Sequence, residues 1–190
     1  MAEQETDNTL DDDGIEIIEY LSTVLIVLPP EQFDEQVMRC VRSSLAVVHV
    51  GTRSVSTEFD EMVRGRLQDE FLVEGVLADE SMEAYSGVVF VGGEGGKALC
   101  SDENAIRLAK EAKASGKMIA AWGEAVGVLA HASIVKGVKV TGSPEYAQAL
   151  KGAGAKVGTR QVEQSGSIVT GYDSTVGMRF GKALAHVVSV

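Results

Sequence analysis

Met118 to Trp122 (MIAAW) is an unbroken apolar run, and the residues from Ala125 to His131 (AVGVLAH) are small and apolar at helical spacing. The first stretch has the length and composition of a buried strand, the second those of a helix packed on a sheet. Gly123 and Glu124 then form a strand-to-helix turn. In many α/β enzymes such an elbow presents a nucleophile at the end of the sheet, beside backbone N–H groups that hold an oxyanion. The tip of this one is glycine, which carries no reactive group.

Comparable segments recur along the chain. Val24 to Leu28 (VLIVL), Ala46 to Val50, Phe71 to Leu77, Gly87 to Val91 and Gly137 to Val140 are predicted strands. Phe33 to Leu45 is a predicted helix with Phe33, Val37, Val41 and Leu45 on one stripe. Further helices are expected over 103–115, 124–133, 145–151 and 176–188, and Gln161 to Thr170, centred on Ser165-Gly166, has the look of a hairpin. The alternation predicts an α/β domain with a mostly parallel sheet and helices on both faces, its sites gathered beyond the carboxyl ends of the strands. With 190 residues, 45% of them hydrophobic, the chain can bury one good core, and residues 14–190 are expected to form a single domain.

Charge narrows the classes of partner. The net charge of −11 divides into −6 over residues 1–13, −9 over 14–130 and +4 over 131–190. An acidic surface repels phosphate backbones, and no Arg/Lys cluster with interleaved aromatics is present, which argues against nucleic acid. Residues 1–13, polar and aperiodic, read as a disordered acidic tail. No apolar run reaches the roughly 18 residues of a membrane span, and the acidic start is unlike a signal peptide, so no membrane association and a cytoplasmic location are expected. Cys40 and Cys100 fit a reducing compartment and make neither a disulfide framework nor a metal cluster, and no cofactor is expected.

The stretch from Tyr85 to Gly142 (YSGVVFVGGEGGKALCSDEN to VKGVKVTG) resembles the central block of the ThiJ/PfpI family, within the class I glutamine-amidotransferase-like superfamily. The order of parts carries the resemblance: strand, glycine pair, helix, Gly-Lys, strand ending Ala-Ala, elbow, Leu-Ala helix, Lys-Gly, and strand ending Val-Thr. VLIVLPPEQFDEQ and GSIVTGYDSTVGMRFGKALAHVV resemble the family's first and last segments, so the likeness spans about residues 22–188. It implies a flavodoxin-like three-layer sandwich with nucleophile-elbow topology that usually forms a homodimer. Members of the family include proteases, amidases, glyoxalases, deglycases, hydratases and chaperones.

The family places a cysteine at the elbow, acidified by the helix N-terminus and hydrogen-bonded to a nearby protonated carboxyl. Its pattern Ala-Ala-Ile-Cys-His-Gly-Pro is matched here by Ala120-Ala121-Trp122-Gly123-Glu124-Ala125-Val126. Gly123 therefore stands at the nucleophile position and Glu124 follows it. The family's glutamate falls on Val37 in an ungapped match and on Gln36 with a one-residue gap, and Ser143 stands where some relatives have histidine. Gly92 and Gly93 match the glycine pair whose backbone approaches the elbow and supplies an oxyanion amide. With these positions altered together, the resemblance implies a vestigial pocket without cysteine chemistry and a binding or structural role, a small molecule being a possible ligand. The alternative is a protease, amidase, hydratase or glyoxalase-type enzyme rebuilt on Glu124 or Cys100.

Each candidate also has a plainer explanation. Cys100 precedes a helix capped by Ser101 or Asp102, which can acidify a thiol, yet a small apolar side chain at a helix edge equally packs. Glu124 in the first turn of a helix is stabilised by the exposed N–H groups there, whereas near Glu31 and Glu35 of the first loop it has the chemistry of a general acid or base. Ser143 fits an N-cap before Pro144. Among the glycines, GGEGGK lacks the length and the Ser/Thr of a P-loop, and Gly93-x-Gly95-x-x-Ala98 matches a dinucleotide fingerprint only if it opens directly into a helix.

Overall fold

Short apolar strands separated by amphipathic helices build one sheet between two helical layers, as seen in the computed structural model, which describes residues 20–58 and 62–189. The chain runs through β1 (Ser22–Leu28), a short β2 (Glu31–Phe33), α1 (Glu35–Val47), β3 (Val50–Ser56), β4 (Met62–Gly65), β5 (Glu70–Leu72) and β6 (Gly87–Phe90). It continues through α2 (Glu103–Ala114), β7 (Met118–Trp122), α3 (Val126–His131), β8 (Lys139–Val140) and α4 (Ala147–Gly152). It closes with β9 (Lys156–Val157), β10 (Val162–Ser165), β11 (Ile168–Gly171) and α5 (Gly177–Val188).

Six strands form the main sheet in the order β10-β11-β7-β6-β1-β3, parallel throughout except where β10 returns antiparallel to β11. Strands covered on both faces are apolar on both, which is why they read as continuous runs and not as alternation. In β1, Leu25 and Val27 enter the core beneath α2, α3 and α4, while Val24, Ile26 and Leu28 enter the core beneath α1 and α5. Burying each such side chain contributes about 1.5–3 kcal/mol, so the two cores hold the helical layers in place. From β1 the chain moves outward to β3 and then crosses to β6 on the other side of β1. The topological switch point thus lies between β1 and β6, where sheets of this kind bind ligands.

The predicted α/β three-layer sandwich and the Ser165-Gly166 hairpin are present, Gly166 taking φ +59° at the turn. Several boundaries differ. Ala46 and Val47 end α1, and the strand expected over Ala46 to Val50 is Val50–Ser56 instead. At the sheet's edge it pairs with β1 on one side and on the other meets residues 74–76, through the Ser56–Val76 bridge and the Glu74 N–H donating to the Ser54 carbonyl. It carries Thr52, Arg53 and Ser54, so no apolar run marks it. The strand expected over Phe71 to Leu77 is confined to Glu70–Leu72, in a small sheet β2-β4-β5, and Leu77–Asp79 is a 3-10 turn. The helix expected from Phe33 begins at Glu35, because Glu31 to Phe33 pair with β4 and the Phe33 carbonyl accepts the Arg66 N–H at 2.9 Å. The helix expected over 124–133 is shorter, with a 3-10 turn at Gly123–Ala125 leading into α3. The acidic tail over residues 1–13 lies outside the described residues. No helix among the described residues is long and apolar enough to cross a membrane.

Candidate functional site

The elbow between β7 and α3 is built by an abrupt change of backbone. Trp122 is extended, at φ −137° and ψ 163°, and Gly123 turns into the left-handed region at φ +56°. A residue with a side chain is held there at a cost of about 1–3 kcal/mol, which glycine avoids. Among the described residues, a Cβ at Gly123 would meet only the Gly93 amide nitrogen beyond its chain neighbours, 3.7 Å away. The Gly123 carbonyl is tied down from the other side, accepting the Ser143 N–H at 3.1 Å.

Gly92 and Gly93 are glycines for steric reasons. A Cβ at Gly92 would lie 2.2 Å from the Trp122 carbonyl oxygen, and one at Gly93, where φ is +107°, would lie 2.8 Å from the Asp34 nitrogen. The Asp34 N–H donates to the Gly92 carbonyl at 2.9 Å, which locks the first loop against the glycine pair. Three chain segments from the ends of different strands therefore meet at backbone distance.

Above Gly123 these segments leave a pocket of about 240 Å³. Asp34 enters it from the loop after β2, Gly93 and Glu94 from the loop after β6, and Trp122, Gly123 and Glu124 from the elbow. Arg66, just past β4, and Asp173 with Ser174, just past β11, complete the lining. Asp34 is 2% exposed, and among the described residues neither of its carboxyl oxygens has a hydrogen-bond partner of normal geometry, although the Val37 amide and the Trp122 indole N–H favour its charged form. Burial pushes its pKa up, against the weaker opposing influence of the Val37 amide and the Arg66 guanidinium. Trp122 packs edge-on against Phe180, ring centroids 5.4 Å apart, and its indole nitrogen is likewise buried without a partner.

The residues singled out from sequence divide between this pocket and its surroundings. Gly93, Gly123 and Glu124 line it, Glu124 half-buried in the first turn after the elbow. Gly92 and Ser143 support it through backbone, Ser143 preceding Pro144 at the start of a 3-10 turn with its hydroxyl accepting no capping hydrogen bond. Val37 is wholly buried in the core under α1 and Gln36 is exposed on that helix, so neither supplies a pocket carboxyl. Glu31 is exposed on β2 and does not line the pocket. Glu35 is fully buried but turned to the β4–β5 connection, where its carboxylate accepts the Leu67 N–H at 2.5 Å.

Cys100 is also outside the pocket lining. Its thiol is buried beside Gly127 and Tyr146, near the carbonyls of Gly96 at 3.5 Å and Glu124 at 3.3 Å, and burial pushes its pKa up. A thiol so placed is mostly protonated and a poor nucleophile. His131 meets the Cys100 carbonyl through Nδ1 and has no carboxylate partner among the described residues. Glu94–Ser101 is a 3-10 stretch, and α2 begins only at Glu103, where the Asp102 carboxylate accepts the Ala105 N–H at 2.8 Å. The Gly93-x-Gly95 glycines thus do not open into a helix as a dinucleotide loop requires.

Sequence reasoning missed Asp34, Arg66, Asp173 and Ser174. Asp34 had a signal, since Asp is a favoured residue immediately before a helix and α1 begins at Glu35. Asp173 and Ser174 follow a strand end, the other place such residues are sought.

The model of the DJ-1/PfpI family matches residues 22–186. The chain belongs to the DJ-1/PfpI family. An uncharacterized protein of Methanocaldococcus jannaschii is 34% identical to this DJ-1/PfpI chain over 165 residues, covering 83% of it and 78% of the relative. Among solved structures, a ThiJ/PfpI domain protein from Brachyspira murdochii superposes with a TM-score of 0.83 at 25% identity, over 87% of this chain and 95% of that one. Drosophila melanogaster DJ-1beta shares the fold, with a TM-score of 0.77 at 19% identity over 89% of this chain and 91% of that one. Within the DJ-1/PfpI fold, the elbow pocket of this chain is lined by four carboxyls, one guanidinium, the Trp122 and Ser174 positions and backbone glycines, with no sulfur among the described residues.

Proposed function

We propose that this DJ-1/PfpI domain works without cysteine chemistry, as a binding protein whose elbow pocket holds a small polar molecule. One observation carries the proposal: the left-handed turn at Gly123 and the open space above it are present, while Cys100, the nearest thiol in sequence, is buried against Gly127 and Tyr146. A nucleophile supplied by neither residue leaves the pocket's polar groups to recognise and not to attack. Peptidase, glyoxalase and deglycase assays of the full chain test this. No turnover is expected, and turnover abolished by iodoacetamide would refute it.

A second reading has one observation in its favour. Asp34 and Glu124 share the pocket lining but differ in burial, and two carboxyls in unlike environments can divide the roles of acid and base. Turnover insensitive to iodoacetamide and lost in Glu124→Gln would establish that reading. For assembly we infer a homodimer, for which light scattering would give twice the chain mass of 20.1 kDa.

A further inference from the structure

Building on the binding role proposed for this pocket, we propose that its ligand is a small organic cation, carrying a primary ammonium or guanidinium group, with Asp34 as the counter-ion. Asp34 lines the cavity, is 2% exposed and, among the described residues, has no hydrogen-bond partner on either carboxyl oxygen. A carboxylate offers about four acceptor sites. The Trp122 indole N–H, buried and unpartnered in the same lining, can occupy one of them. The Val37 amide favours the charged form of this carboxyl but makes no capping hydrogen bond to it, so the second oxygen still lacks a donor, and a buried acceptor left in that state is costly. A ligand that donates hydrogen bonds removes that cost.

The rest of the lining selects the sign of the ligand. Glu124 and Asp173 add carboxylates, and Glu94 is held at the rim by Lys97, 2.9 Å away. Asp173 spends one oxygen on the Thr175 N–H at 2.8 Å, which leaves its second oxygen free of that turn. Arg66 is the lone cation in the lining among the described residues, and it is exposed. An anion would meet this excess of carboxylates unfavourably, whereas an ammonium brings three donors, a guanidinium five, and neither brings an acceptor. A metal ion is a poorer match, because no group of three or more His, Cys, Asp or Glu among the described residues is placed to hold one. A volume near 240 Å³ is below that of a drug-sized site, so the cation is a small one.

Calorimetric titration of the full chain near neutral pH with n-butylammonium, n-butanol and butyrate tests this, since the three probes match in size and differ in charge. Butylammonium is expected to bind at least about tenfold more tightly than the other two, and Asp34→Asn to lose that preference. Equal or tighter binding of butanol or butyrate overturns the cation assignment while leaving the pocket a binding site. Binding of none of the three also overturns it, as does an Asp34→Asn protein that keeps the preference. If Asp34→Asn fails to fold, the ranking of the probes on the unaltered chain decides alone. Failure of the binding role itself has a separate signature, iodoacetamide-sensitive turnover.

Discussion

A side-chain carbon at Gly123 would stand 3.7 Å from the amide nitrogen of Gly93, with no other atom of the described residues beyond its chain neighbours within 4 Å. The elbow therefore combines the left-handed backbone of a nucleophile turn and a facing amide with a position that holds only hydrogen. A residue with a side chain would be strained at this turn, whereas glycine takes φ +56° freely.

The glycine pair is the tightest point of the site, so Gly93→Ala should be far more damaging than a surface change. The new methyl would face φ +107° and a contact of 2.8 Å with the Asp34 nitrogen. Strain and overpacking together should cost about 2–6 kcal/mol. Urea denaturation reads this directly, and an unchanged midpoint would contradict the packing of the first loop on Gly93.

Asp34 should make the stability of the protein depend on pH in a particular sense. Burial raises its pKa above the ordinary 3.8, so the folded chain binds the proton more tightly than the unfolded one. Stability then falls as pH rises from about that ordinary value through the raised one, and Asp34→Asn removes this component. The variant's stability relative to the unaltered chain should therefore grow as pH rises from 3.8 and level off once pH has passed the raised value. Urea midpoints of the two proteins across that range test it, and a constant difference would show that Asp34 ionises as readily when folded.

Peroxide should leave no selective sulfinate on Cys100. Its thiol is buried and its pKa raised, so little thiolate is available to oxidise. Peptide mass spectrometry that found Cys100 converted ahead of Cys40 would return it to the list of candidate nucleophiles.

What the sequence made legible, and what it hid, follows from how each part is stabilised. The elbow strand Met118–Trp122 is buried on both faces, so its apolar run marked it to the residue. Strand Val50–Ser56 was hidden because a strand at the sheet's edge accepts polar residues, and because the apolar end of α1 at Ala46-Val47 mimicked a strand beside it. The pocket was half legible. Gly93, Gly123 and Glu124 lie where the motif order puts them, but the carboxyl was sought at Gln36 or Val37 by counting from Phe33. That count fails because Gln32 turns the chain at φ +55° within β2 and α1 starts only at Glu35, which leaves Asp34 at the helix entrance lining the pocket and Val37 in the core. Arg66 and Asp173 come from distant segments brought in by the small sheet and by β11, and local pattern carries no information about such meetings.

The most direct test is Gly123→Cys, with thermal melts and iodoacetamide labelling of the full chain. The thiol would enter the open space beside the Gly93 amide while its backbone keeps φ +56°. The variant should fold and lose about 1–3 kcal/mol, a fall of about 2–4 °C in the midpoint for each kcal/mol in a chain of this size. Its new thiol should be alkylated faster than Cys40 or Cys100. An unchanged or higher midpoint, or a thiol at 123 that is buried and inert, would mean that the turn is relaxed or the pocket closed, and would contradict a vacated nucleophile elbow.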